Sequence, residues 1–342
     1  MDAKKWIIGF MALVACLSAQ IKSPEEIQQE LNDAEKQFQR AKEMFNPWYS
    51  GPLLTGSATM AAPGQAIAQP YFFATDTYGH FNHEREAVSN LHNSWNLNGF
   101  MWLQTGLNSW MDTVLTFQYN GNWYDGQQSG GFGDTALQLG VKLLTQGLWV
   151  PAIKLFFNEQ FPTGRYDNFS STKLGTQAVG SGTYVTGFTL NMAKLLLWQT
   201  LHPLNLRLSL NYYVPTKVHV QGYNTYGGGR GTDGTAHPGQ SFKISMGTEF
   251  SLTQKWVLSN DVVYIYQGPT RFTGQAGYKA DGSPATVGSG SNDQLSLAPA
   301  IEYNPTPNLG IIGGAWFSVY GRNAGNFVSA IVSFTYTFSL IN

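Results

Sequence analysis

Between Leu204 and Tyr213 every even position is Leu or Tyr, and Asn205, Arg207, Ser209 and Asn211 stand between them. Successive side chains of a strand point to opposite faces, so this stretch predicts a β-strand with one apolar and one polar face. The two-residue rhythm recurs. Leu137, Leu139, Val141 and Leu143 oppose Gln138 and Lys142; Phe242, Ile244, Met246, Phe250 and Leu252 oppose Lys243, Ser245 and Glu249. Leu295, Leu297, Ile301 and Tyr303 oppose Gln294, Ser296 and Glu302, and Val328 to Phe338 keep one apolar face. Strands are predicted near 66–78, 93–107, 109–121, 133–145, 149–161, 181–196, 203–215, 239–252, 255–267, 293–304, 308–320 and 326–340. Asn260 interrupts the apolar face of the ninth. Pro299 removes a ladder hydrogen bond and predicts a bulge in the tenth.

The connections sort by parity. Those at 79–92, 122–132, 162–180, 216–238 and 268–292 are long, and those at Asn108, 146–148, 197–202, 253–254 and 305–307 are short. Only 321–325 is short on the long side. Membrane barrels show this asymmetry, with short periplasmic turns and longer external loops, whereas a soluble sandwich has no reason to sort its loops. Trp110, Trp149, Trp198, Trp256, Tyr212, Tyr264, Tyr266 and Tyr320 gather near strand ends, as interfacial girdles require. The pattern predicts an all-β fold: a transmembrane antiparallel up-and-down β-barrel of about 12 strands over 66–342, with lipid outside and water inside. An even strand number leaves both ends in the periplasm.

The segment before the barrel reads differently. Lys4-Lys5 and the apolar run Trp6–Val14 form a secretory signal over 1–19. Leu13-Val14-Ala15-Cys16 resembles a lipobox, which would make Cys16 a lipidated first residue; cleavage after Ala19 is the alternative. Cys16 is the only cysteine and forms no internal disulfide. Over 20–48, Ser23-Pro24-Glu25-Glu26 opens a helix. Ile27, Leu31, Ala34, Phe38, Ala41 and Phe45 give it one apolar stripe. Such a periplasmic amphipathic helix can lie on the barrel rim or the membrane surface, plug the lumen, or serve as an oligomerisation arm. Residues 49–65, rich in Gly, Pro, Ala, Ser and Thr from Ser50 to Gly64, read as a linker.

Composition narrows the function classes. Charged residues make up 12% of the chain and aromatics 14%, against roughly 25% charged in soluble domains. The deficit suits an outer wall that meets hydrocarbon. No apolar run of about 18 residues provides a transmembrane helix, and a net charge of -1 lacks the basic footprint that nucleic acid requires. His80, His83 and His92 fall near Glu84 and Glu86 without tight ligand spacing, so they read as a solvated loop rather than a metal site. No serine or acid is evidently paired with a histidine, so no enzyme is predicted and no cofactor is implied. Gly227–Gly231 lacks the Gly-Lys-Ser/Thr ending of a phosphate loop and reads as an external loop tip.

Gly131-Phe132-Gly133-Asp134 opens a strand, Val150 to Leu155 forms the next, and Pro162-Thr163-Gly164 starts a long loop. This stretch resembles the outer-membrane proteins associated with the phenol meta-degradation pathway. The resemblance implies a transporter of small, often aromatic, molecules and transfers no catalytic residues. The N-terminal helix and Asn158-Glu159-Gln160-Phe161 depart from it.

The inner face carries the remaining chemistry. Lys142, Lys154, Arg207 and Lys243 are assigned inward, as are Asp112, Glu249, Asp261 and Glu302. Such a balanced wall lines a weakly ion-selective pore or ties the barrel together with cross-lumen ion pairs. Phe100, Trp102 and Phe156 add an apolar patch suited to a small aromatic solute. Ser209, Ser245, Gly247, Ser296, Ala298 and Ala300 place an open path along strands seven, eight and ten. The expectation is an outer-membrane channel for passive passage of small solutes, with membrane lipid as its other partner. A closed structural or adhesive surface barrel, or an outer-membrane hydrolase, is the competing reading.

Overall fold

The computed structural model describes residues 22–44 and 49–340. The signal segment, both cleavage alternatives, Cys16 and Phe45 lie outside the described residues. Helix α1 (Pro24–Met44) starts with a reciprocal cap: Ser23 N donates to Glu26 Oε2 at 2.8 Å, and Glu26 N donates to Ser23 Oγ at 3.2 Å.

The strands follow in chain order: β1 (Gln65–Phe81), β2 (Ala87–Gly106), β3 (Met111–Tyr124), β4 (Gln127–Phe132), β5 (Thr135–Leu144), β6 (Ala152–Phe161), β7 (Val185–Leu196) and β8 (Leu204–Pro215). After them come β9 (Val218–Gln221), β10 (Asp233–His237), β11 (Ser241–Ser251), β12 (Trp256–Gln267), β13 (Arg271–Gln275), β14 (Asn292–Thr306), β15 (Leu309–Arg322) and β16 (Ala324–Ser339). Twelve of these close into one antiparallel barrel, because β1 pairs with β2 on one side and with β16 on the other. β4 prolongs β3 as an external hairpin, and β9, β10 and β13 form a separate three-stranded sheet within the long loops.

Burial is inverted relative to a soluble protein. Along β8 the buried positions are Asn205, Arg207, Ser209 and Asn211, while the leucines between them are partly exposed. On the neighbouring β11, Met246 is 50% exposed while Ser245 and Glu249 are fully buried. An exterior so rich in large apolar side chains around a buried polar interior is suited to hydrocarbon rather than water, so the barrel spans the bacterial outer membrane.

Two expected loops continue as strands instead. β1 and β2 run on to Phe81 and Ala87, and only 82–86 remains as the connection. The register then slips between Thr77 and Gly79, leaving 90–93 of β2 bulged out. At 122–132, β3 and β4 pair around Asp125-Gly126, both at positive φ (46° and 72°), as a two-residue hairpin turn demands. Above the membrane both faces of a hairpin meet water, so its sequence need not alternate. The bulge expected at Pro299 is absent there: Asn260 pairs with Pro299 in unbroken register, and the β14–β15 irregularities fall at Leu295/Ser296 and Tyr303/Thr306. Ala298 and Pro299 have no partner on β15, so the proline's missing N–H breaks no bond in that ladder.

Candidate functional site: the occupied lumen

The barrel interior holds part of its own chain. Residues 49–63, the stretch expected as a linker, run through the lumen between α1 and β1. Leu53 packs with Ala298, Ile312 and Ile331, and Thr55, Ala58 and Ala61 are buried. The segment is anchored through its backbone. Ser50 N donates to Glu302 Oε2 at 3.0 Å, and Leu54 N and Thr55 N donate to the two oxygens of Asp261 at 3.1 and 3.0 Å. Ala61 N points at Asp112 Oδ2, at 3.4 Å, and the carbonyls of Ser57 and Thr59 accept from Asn191 and Lys154 at 3.0 and 3.2 Å. Carboxylates on β3, β12 and β14 thus hold a segment that has no regular hydrogen bonds of its own.

Two glycines make this passage feasible. Gly51 has φ +106°, and a Cβ there would lie 3.3 Å from the Arg207 guanidinium. At Gly106 a Cβ would collide with the Ala62 carbonyl, so this glycine lets the segment leave along β2.

The small residues of the wall acquire a different meaning. Pro52 and Thr55 lie over Gly247, and Leu53 lies over Ala298. The expected open path along Ser209, Ser245, Gly247, Ser296, Ala298 and Ala300 is therefore, in its lower part, the seat of this segment. Small side chains there leave room for a second backbone.

Six of the eight inward charges fall into three groups. Asp112 and Lys154 are fully buried and paired at 2.5 Å, with Gln104 Nε2 also donating to Asp112 and the Lys154 ammonium 4.3 Å from the centre of the Phe156 ring. Arg207 grips Glu249 in bidentate fashion through Nε and Nη2 at 2.6 and 3.0 Å, and Asn205 donates to the same carboxylate. Asp261 and Glu302 hold the segment. Lys142 takes the inner-face position paired with Lys154 at the periplasmic end, outside the lining of the aromatic cavity above.

Above the segment remains a cavity of about 350 Å³. Phe100 and Trp102 line it, joined by Tyr71, Phe73, Phe156 and Tyr213. Gln138, Asn191 and Asn211 contribute amides, and Arg207 and Lys243 contribute charge. Higher still, an amide ladder runs up β2 and β3. Asn98 donates to Gln118 and Asn120 at 3.0 and 2.8 Å, Asn96 to Asn122 at 2.7 Å, and Asn122 to the carbonyls of Thr176 and Ala178. The long loop after β6 therefore folds back against the lumen-facing side of β3. Asp134 fastens its base by accepting from Gly164 N and Ser181 N at 3.0 and 2.8 Å. The motif around Gly131–Asp134 and Pro162–Gly164 is thus a structural clamp. Tyr226 of the next long loop donates to the Ser181 carbonyl at 2.6 Å, and burial pushes its phenol up to about 12. Gly227–Gly231 is packed against 278 and 286–287 rather than standing as a free tip.

At the periplasmic end α1 lies on the rim. Glu35 accepts from Leu148 N at 2.7 Å, and Phe38 is fully buried against Trp198, ring centres 5.3 Å apart. Lys194 clasps the neighbouring turn by donating to the carbonyls of Gly147 and Leu148. Among the described residues no cluster of His, Cys, Asp and Glu is arranged to hold a metal.

No protein-family model matches the chain, and neither does any curated protein. Among solved structures it is similar to an outer membrane channel from Pseudomonas putida F1, at TM-score 0.62 and 12% identity, over 83% of this chain and 98% of that one. The translocator domain of the autotransporter NalP from Neisseria meningitidis aligns at TM-score 0.44 and 13% identity, over 91% and 98% of the two chains. At 12% identity the likeness to the channel is one of fold: the closed outer-membrane barrel.

Proposed function

We propose that the chain is a passive outer-membrane channel for small solutes, aromatic or hydrophobic ones above all, narrowed by its own residues 49–63. The observation that carries this is the cavity of about 350 Å³, walled by aromatic rings and standing directly on a segment held by hydrogen bonds and side-chain packing alone. Such a segment can shift without any covalent change. The resemblance of 130–164 to outer-membrane proteins associated with the phenol meta-degradation pathway supports an aromatic solute. A closed surface barrel is favoured by one contrary observation, the apolar cluster of Leu53, Ala298, Ile312 and Ile331 that fills the lower lumen.

Planar-bilayer recordings of the full chain and of a chain lacking 20–64 separate the two readings. The full chain is expected to show small conductance and the shortened one a several-fold larger step, with heat-modifiable mobility verifying that both barrels fold. If neither conducts, the channel reading fails and the closed surface barrel takes its place.

A further inference from the structure

The cavity has two chemically different walls. Around the twelve-strand circle β2 stands six strands from β11, and β1 six strands from β8, in either direction. Phe100 and Trp102 on β2 and Tyr71 on β1 therefore face Lys243 on β11 and Ser209 on β8 across the lumen. The Tyr71 ring lies 5.9 Å from that of Phe100 and 6.0 Å from that of Phe73, so the aromatic wall is continuous. The opposite wall is polar and cationic.

The charges of the lining are unbalanced. Its charged residues are Arg207 and Lys243, and among the described residues it contains no Asp or Glu. Arg207 is committed to Glu249. The other lumen carboxylates have partners of their own: Asp112 has Lys154, and Asp261 and Glu302 have backbone amides of the segment below. Lys243 forms no ion pair among the described residues; the nearest carboxylate acting on it electrostatically is Asp261, whose two oxygens are taken by the amides of Leu54 and Thr55. An ammonium in a confined, partly dehydrated space gains more from an anion than it would in bulk water.

We propose that this cavity binds a small aromatic carboxylate, its ring against Tyr71, Phe100 and Trp102 and its carboxylate on the Lys243 ammonium. The size agrees, since small-molecule pockets run from about 300 to 1,000 Å³ and a cavity of about 350 Å³ holds one substituted ring rather than an oligomer. This deepens the channel reading by naming the class of solute, and it rests on that reading only for the claim that the bound acid also passes through.

Calorimetric titration of the full chain in detergent with benzoate, benzyl alcohol and acetate tests the site. Benzoate is expected to bind at least about tenfold more tightly than the neutral alcohol, equivalent to about 1.4 kcal/mol, and acetate more weakly than benzoate by a similar factor. Lys243→Met should remove the preference for benzoate over the alcohol, Lys243→Arg should keep most of it, and Lys279→Met in an external loop should leave it unchanged. Equal binding of benzoate and benzyl alcohol overturns the proposal, as does a preference that survives Lys243→Met in a protein of native heat-modifiable mobility. Acetate binding as tightly as benzoate overturns the aromatic half. The two readings fail separately. A protein that binds benzoate but does not conduct retains the site and loses the channel, whereas one that conducts without a Lys243-dependent preference retains the channel and loses the site.

Discussion

Two neighbouring segments precede the barrel, and their roles are opposite to their appearance. Helix α1 has a capped start and an apolar stripe, yet only its second half is docked. Ile27 and Leu31 remain 47% and 40% exposed, while Phe38 is fully buried. Residues 49–63 have no periodicity and the composition of a linker, yet they are seated inside the protein. The difference teaches that an amphipathic pattern reports a preference for some interface, whereas a polar, glycine- and proline-containing stretch can be buried wherever carboxylates and amides await its backbone. Such a lumen is a place where irregular chain is stable, since its walls supply hydrogen bonds that hydrocarbon cannot.

The sharpest way to break this contrast is Leu53→Asp. A carboxylate among Ala298, Ile312 and Ile331 has no partner there, and an uncompensated buried charge costs about 3–5 kcal/mol. The segment should leave the lumen, and bilayer conductance should rise toward that of the chain lacking 20–64; unchanged conductance would mean that the cluster does not seat the segment. Phe38→Ala acts on the other region. It removes burial worth about 1.5–3 kcal/mol, so limited proteolysis should cut α1 faster while conductance changes less than about twofold. A conductance change as large as that of Leu53→Asp would merge the two segments into one device.

Asp261→Asn removes one of the charged anchors and leaves an amide that can accept with a single oxygen. Hydrogen bonds to charged groups contribute about 1.5–3 kcal/mol each, so more frequent opening is expected in single-channel records without loss of folding. Fewer openings than in the parent chain would refute the anchoring role. Ser23→Ala should have the smallest effect, about 1 kcal/mol from the lost cap. It should appear as fraying of the first turn of α1 in hydrogen exchange, with Phe38 still docked and conductance unaltered.

The sequence by itself determined the barrel and its strand number, and it assigned faces to several of the strands. A hydrocarbon exterior and a polar interior impose a period of two on every spanning strand, and this repeats across the chain from β1 to β16. That period is what assigned Phe100, Trp102 and the charges from Asp112 to Glu302 to the inner face. The three-dimensional structure decided how those positions are used. Ser50 reaches Glu302 across 252 residues and Leu54 reaches Asp261 across 207, and no local pattern encodes such partners. The side chains at Gly247 and Ala298 were legible as small, but only the fold shows that their smallness seats another part of the chain. It is likewise the closure of the circle that sets β2 opposite β11, and with it an aromatic wall opposite Lys243.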